Sequence, residues 1–260
     1  MKTEIPNLPQ RLGRVIAKRF IPIITSLPAQ YVHSILVHII SRKASQLDPQ
    51  ESASFLLNLD NDLYHLESQA AVRYGGGVHP KHRLTNYHDF FVQRIRWGDR
   101  VLDVGCRTGE VALEIAERTG VKVTGIDIDL PSLEEGRSRN AHTNLELLEG
   151  DVYSWQPPHP FDVVVMSNVL EHLKDRVDLL RGLQKRTGAR RFLIRVPVFE
   201  RDWRVSLKRE LGLEWRLDET HETEFTLESF KDETSQAGLE IEHLEVRWGE
   251  IWAELTAKSN

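Results

Sequence analysis

The chain has one cysteine, Cys106, in 260 residues. A lone thiol excludes a disulfide framework and any zinc site built on cysteine ligands, so a reducing, cytoplasmic setting is expected. No run of apolar residues reaches the roughly 20 needed to cross a bilayer. Lys18, Arg19, Pro22 and Pro28 interrupt the most apolar stretch, and no small-residue cleavage site follows it, so a secretory signal is not expected. There is no excess of positive charge either. The net charge of −5 argues against a nucleic-acid partner. Repeats and low-complexity tracts are lacking too, which excludes solenoids and fibrous arrays. What is present is a 40% apolar, 28% charged composition that suits one large folded domain with a helical appendage.

The charge is unevenly placed. Residues 1–45 carry Lys2, Arg11, Arg14, Lys18, Arg19, Arg42 and Lys43 against the single acid Glu4, a local +6 that leaves −11 for the rest. Within this stretch Val32, Ile35, Leu36, Ile39 and Ile40 repeat at helical spacing. Two readings fit a basic amphipathic helix: a lid packed on the main domain, or a peripheral contact with an anionic membrane at its inner face.

Downstream, Leu56, Leu59, Leu63 and Leu66 predict a helix over 50–72, broken by Gly75-Gly76-Gly77. A second helix is expected over 85–95, with Phe90, Phe91 and Ile95 inward. From Arg100 the texture alternates. Strands are predicted at 101–104, 121–126, 145–148, 161–166 and 192–196, and helices at 110–119, 131–140 and 177–185. A helix over 227–237 then precedes two strands joined around Gly249. Such alternation predicts an α/β fold, a Rossmann-like doubly wound sheet that is mostly parallel, closed by an antiparallel C-terminal strand at its edge. The expected division is a helical extension over 1–95 and a sheet domain over 96–260, with an insertion at 198–225.

The segment Val101-Leu102-Asp103-Val104-Gly105-Cys106-Arg107-Thr108-Gly109 reads as strand, tight turn and helix start. Small residues there let a ligand approach the backbone. The spacing is Asp-x-Gly-x-x-x-Gly rather than Gly-x-Gly-x-x-Gly. An acid before the first glycine would repel a pyrophosphate and attract an amino or sulfonium group.

On these residues the stretch 100–172 resembles the core of the class I S-adenosylmethionine-dependent methyltransferases. It matches that family's first motif except at Arg107, where glycine is usual. The resemblance also takes in bacterial methyltransferases of the type-11 group. It implies S-adenosylmethionine as cofactor, with Asp103, Gly105, Arg107 and Gly109 lining its loop. By the same resemblance Asp127, beside Ile128, would hold the ribose hydroxyls, and Asp151 with the Val152 backbone would meet the adenine. Asn168 belongs to the segment Ser167-Asn168-Val169-Leu170-Glu171-His172-Leu173, which resembles the family's Leu-Glu-His segment. Arg83 or Tyr87 would pair the methionine carboxylate.

Two histidines are candidate catalytic bases, His172 after the fourth strand and His221 in the insertion. The insertion also holds Trp203 and Trp215, suited to wall an acceptor pocket, and Arg204 and Arg216, suited to an anionic acceptor. His221, Glu222 and Glu224 are of ligand type but lack a zinc spacing, so no metal is expected. The function that follows is methyl transfer to an oxygen or nitrogen of a small-molecule or glycan acceptor. Two alternatives stand beside it: a membrane-borne quinone or lipid-linked acceptor, and a cofactor-binding module without catalysis.

Overall fold

A computed structural model describes residues 18–258. Lys2, Arg11 and Arg14 of the basic stretch lie outside the described residues. The chain divides into two compact units between Leu63 and Tyr64.

In the first unit, α1 runs over Ala29–Ala44, and α2, over Pro49–Tyr74, continues into the second. The helical periodicity is real, but its apolar face is not interior. No residue of α1 is buried, and α2 buries Leu57 rather than the leucine row: Leu56, Leu63 and Leu66 are exposed. Among the described residues no helix is long and apolar enough to cross a membrane.

The second unit opens with α3 (Lys81–Thr85) and α4 (Tyr87–Val92). One helix was expected here. Asn86 breaks it by adopting a left-handed φ of 50°, a conformation Asn tolerates better than most residues. The alternation follows: β1 (Arg100–Val104), α5 (Glu110–Thr119), β2 (Lys122–Asp127), α6 (Leu130–Arg139), β3 (Leu145–Glu149), β4 (Val163–Ser167), α7 (Arg176–Thr187), β5 (Arg191–Pro197), α8 (Trp203–Glu210), α9 (Leu227–Gln236), β6 (Leu239–Arg247) and β7 (Glu250–Ala257). The insertion is therefore not plain loop, since it contains α8 and a 3-10 turn at Phe199–Arg201.

The seven strands form one sheet in the order β3-β2-β1-β4-β5-β7-β6. β1 to β5 are parallel, and β7 runs antiparallel to both β5 and β6. The antiparallel C-terminal strand is thus confirmed but not as the edge: β7 sits inside the sheet and β6 is the border. Both faces are covered, which explains the continuous apolar runs of the central strands. Val101, Val163 and Val165 face one layer with Phe90, Phe91, Ile115 and Trp252. Their neighbours Leu102, Val164 and Met166 face the other with Leu180, Phe192 and Phe230. Each such fully buried side chain contributes about 1.5–3 kcal/mol relative to exposure.

Candidate active site

Parallel strands deliver their C-terminal ends to one edge, and chemistry-bearing residues collect there. Asp103 is the penultimate residue of β1. In the parallel register Val104 pairs with Ile126, and Asp127 pairs with Glu149 across the ends of β2 and β3. After β1 the chain turns sharply. The N–H groups of Gly105 and Cys106 both donate to Ile126 O, at 2.8 and 3.1 Å, and Gly109 N donates to Cys106 O at 2.8 Å. This turn needs left-handed backbone at Gly105 (φ 68°), Arg107 (φ 49°) and Gly109 (φ 79°). At Gly105 an added Cβ would lie 2.5 Å from Cγ2 of Val169, so glycine is required by space as well as by dihedral.

Asp103 is 2% exposed, and its Oδ2 has no hydrogen-bond partner. Burial, aided by the charge of Asp127, pushes its pKa up to about 8. Asp127 is held differently: its Oδ2 accepts from the Arg107 backbone N–H at 2.8 Å and its Oδ1 from the Asp129 N–H at 2.9 Å. The carboxylate therefore braces the first loop while keeping acceptor capacity. Ile128 beside it is 73% exposed. Asp151 orders its own turn, accepting from Tyr153 N–H at 3.0 Å and from Ser154 Oγ at 3.2 Å. The Val152 side chain is core, and its carbonyl accepts from Arg186 Nη2 at 2.6 Å. Asn168, at the end of β4, is left-handed (φ 56°), and its Oδ1 is buried without a partner.

Arg83 is exposed on α3. Tyr87 is 5% exposed, with its hydroxyl 2.8 Å from His82 Nδ1 and the Arg195 guanidinium 3.6 Å above its ring. Its burial pushes the phenol pKa up to about 12. Arg195, buried near the end of β5, is a cation that sequence reasoning missed. It lies in an apolar strand run that offers no signal beyond its own presence.

The two candidate bases do come together. The rings of His172 and His221 meet edge to face with centroids 4.5 Å apart. Beside them is Glu171, 1% exposed, with neither carboxyl oxygen hydrogen-bonded. Burial raises the Glu171 pKa to about 8. His221 Nδ1 lies 2.9 Å from Glu224 Oε1, and Glu224 in turn accepts from Arg201 at 2.5 Å and from Leu217 N–H at 2.6 Å. His172 Nδ1 lies 3.0 Å from Thr220 Oγ1, which donates to Asp218 at 2.7 Å. Burial and the neighbouring His221 lower the His172 pKa. Donor atoms of Glu171, His172 and His221 all lie within 4.8 Å of one another. Glu222 is turned away toward Lys174, 3.5 Å off.

Trp203 is 72% exposed, while Trp215 packs on Phe199 with centroids 5.5 Å apart. Arg204 bonds Asp202, and Arg216 bonds Glu214 and the His221 carbonyl.

Comparison with known proteins agrees with this geometry. Residues 78–244, well over half of the chain, match a family described as Methyltransferase domain. The chain is 37% identical over 93 residues to a ubiquinone biosynthesis O-methyltransferase of Neisseria meningitidis, covering 34% of this chain and 39% of that protein. It is 32% identical over 130 residues to a ribosomal protein L11 methyltransferase of Burkholderia ambifaria, covering 50% and 42%. The matches thus span about two fifths of the length of these relatives. Among solved structures, magnesium protoporphyrin IX methyltransferase from Synechocystis with bound S-adenosylhomocysteine superposes with a TM-score of 0.54 at 16% identity, over 73% of this chain and 87% of that one. With its strand order, its glycine-turned first loop and the family match over residues 78–244, the chain belongs to the class I S-adenosylmethionine-dependent methyltransferases.

Proposed function

We propose that the protein transfers a methyl group to an oxygen or nitrogen of a small-molecule or glycan acceptor. The observation that carries this reading is the pair of buried, unpartnered acceptors at the strand ends, Asp103 Oδ2 and Asn168 Oδ1, beside a turn too tight for a Cβ. Unmet acceptors beside a close-approach turn fit a ligand that brings N–H donors and positive charge, as the amino-acid arm of S-adenosylmethionine does. When bound, that cofactor supplies a methyl carbon on a sulfonium leaving group.

The chain's residues do the rest. Asp103 would pair the ammonium, and Asp127 would accept from the ribose hydroxyls with the lone pairs its loop bonds leave free. Ile128 would offer apolar surface to the adenine, and Asp151 with the Val152 backbone would meet it. Arg107 brings its backbone N–H to Asp127, so the side chain that replaces the usual glycine stands clear of that bond. His172 or His221 would serve as the base toward the acceptor nucleophile. Asp202, Glu214 and the His221 carbonyl already engage Arg204 and Arg216. Each of these two arginines thus already pairs with an acid two residues before it.

Calorimetry with S-adenosylmethionine, followed by an acceptor panel read as S-adenosylhomocysteine release, tests the reading. Absence of cofactor binding would overturn it, and binding without turnover would favour a non-catalytic module. A membrane-borne quinone or lipid-linked acceptor is a second reading. It is favoured by Phe20, Ile21, Ile23, Leu36, Val37 and Ile39, all exposed in the basic stretch of the first unit. Cosedimentation with anionic liposomes, lost on deleting residues 1–45, would support it; equal sedimentation of the truncated protein would end it.

A further inference from the structure

We propose that Glu171, His172 and His221 form a binding site for one divalent first-row transition-metal ion. Three observations converge on it.

The donor atoms share one small volume, all within 4.8 Å of one another. With metal–ligand bonds of about 2.0–2.2 Å, modest side-chain rotation brings three such donors onto one ion.

Both imidazoles have their tautomers fixed from behind. Thr220 has a single hydroxyl hydrogen, and Asp218 takes it. The same Asp218 oxygen also accepts the Thr220 backbone N–H at 2.8 Å. His172 Nδ1 must then donate to Thr220 Oγ1, which leaves Nε2 with its lone pair free. His221 Nδ1 donates likewise to Glu224, a carboxylate held by Arg201 and the Leu217 N–H. Its Nε2 is also a lone pair. A carboxylate behind a histidine is the outer arrangement that orients and strengthens metal-binding imidazoles.

Glu171 completes the set. A carboxyl that is 1% exposed, with neither oxygen accepting a hydrogen bond, is costly unless a positive centre faces it. Glu171 and the two imidazoles thus each bring a ligand atom to the same small volume. Two imidazole nitrogens and one carboxylate select zinc, manganese or iron over calcium or magnesium. Three protein ligands leave coordination positions open. His172 is the half-buried member of the three.

The consequence for chemistry rests on the methyl-transfer reading. An acceptor hydroxyl in an open position would ionise more readily, its proton leaving to solvent and its oxygen keeping the electron pair for attack. The acceptor class is then an oxygen nucleophile. His172 and His221 would be ligands that activate it through the ion rather than free bases.

The test uses the full chain, stripped with chelator and dialysed against Zn2+. About one ion per chain is expected, with affinity reduced at least about tenfold in Glu171→Gln and in His221→Gln. Co2+ substitution should give a visible d–d absorption band that shifts in Glu224→Gln, a positioning change, and vanishes in Glu171→Gln. Circular dichroism and S-adenosylmethionine calorimetry on the same samples confirm folding. Zn2+ uptake unchanged in a folded Glu171→Gln protein, or no uptake by the wild type, would overturn the site. Cofactor binding without Zn2+ uptake sinks this proposal alone. Zn2+ uptake without cofactor binding sinks the methyl-transfer reading alone.

Discussion

The Asp127 carboxylate accepts the backbone N–H of Arg107 at 2.8 Å, so the acid at the end of β2 holds the turn that follows β1. The two neighbouring strand ends are locked together by a group that also has lone pairs to spare. Arg107 is held in left-handed backbone, φ 49°, at the position where the family favours glycine. Asp127→Ala should therefore weaken S-adenosylmethionine binding by about 1.5–3 kcal/mol, the range for a hydrogen bond to a charged group. Isothermal calorimetry checks this, and unchanged affinity would remove Asp127 from the cofactor site.

Gly105→Ala should damage the same turn sterically. The new methyl would stand 2.5 Å from Val169 Cγ2 on backbone with φ 68°. The expected cost is about 1–3 kcal/mol in overpacking and strain, seen in chemical denaturation, together with a loss of cofactor affinity. A variant of wild-type stability would show that the loop has room to move.

Asp103 makes a prediction about protons. Its folded pKa of about 8 lies above the ordinary value of 3.8, because burial disfavours the charge. Between those values the folded state binds more protons than the unfolded chain, so this group makes stability fall as pH rises through that window. Asp103→Asn should flatten that fall. When the cofactor's ammonium arrives the carboxyl should ionise, releasing up to about one proton near pH 7. Calorimetry in buffers of different ionisation enthalpy detects this release, and Asp103→Asn should abolish it.

Arg191 anchors the start of β5. It bonds Asp99 and Glu254, each at 3.1 Å, and the carbonyl of Arg94, with its side chain 10% exposed. Arg191→Met should destabilise by about 1.5–3 kcal/mol, the range for hydrogen bonds to charged groups, since Asp99 keeps the Arg96 N–H and Glu254 keeps Arg94. Urea denaturation measures it. A loss under about 1 kcal/mol would mean that water screens this network as it does surface pairs.

The strands of the sheet are readable in the sequence because two covered faces demand unbroken apolar runs, and Val163 to Met166 bury completely as such a run predicts. Local signals cannot report how a face is covered. Leu56, Leu63 and Leu66 of α2 have the right period and are nevertheless exposed, and Leu57, off the row, is the buried one. Asn86 ends a helix that periodicity continues, through a dihedral choice no pattern of apolar residues encodes. At the candidate site the acids Asp103 and Asp127 could be named from order and spacing. The association of Glu171 with His221 could not. Some fifty residues separate them, and only the return of the insertion onto the end of β4, through the N–H groups of Glu222 and Thr223 on the Glu171 carbonyl, brings them together.

The slot held by β7 has a bearing on how the protein is made. Glu250–Ala257 follows both of its neighbours in the chain, so β5 and β6 emerge from synthesis with nothing yet between them. Until that segment arrives, β5 presents a bare apolar border, the sort of edge that recruits other chains. Assembly of the sheet must therefore finish from the inside, and a nascent protein halted before residue 250 would be more prone to aggregate than one halted after residue 257.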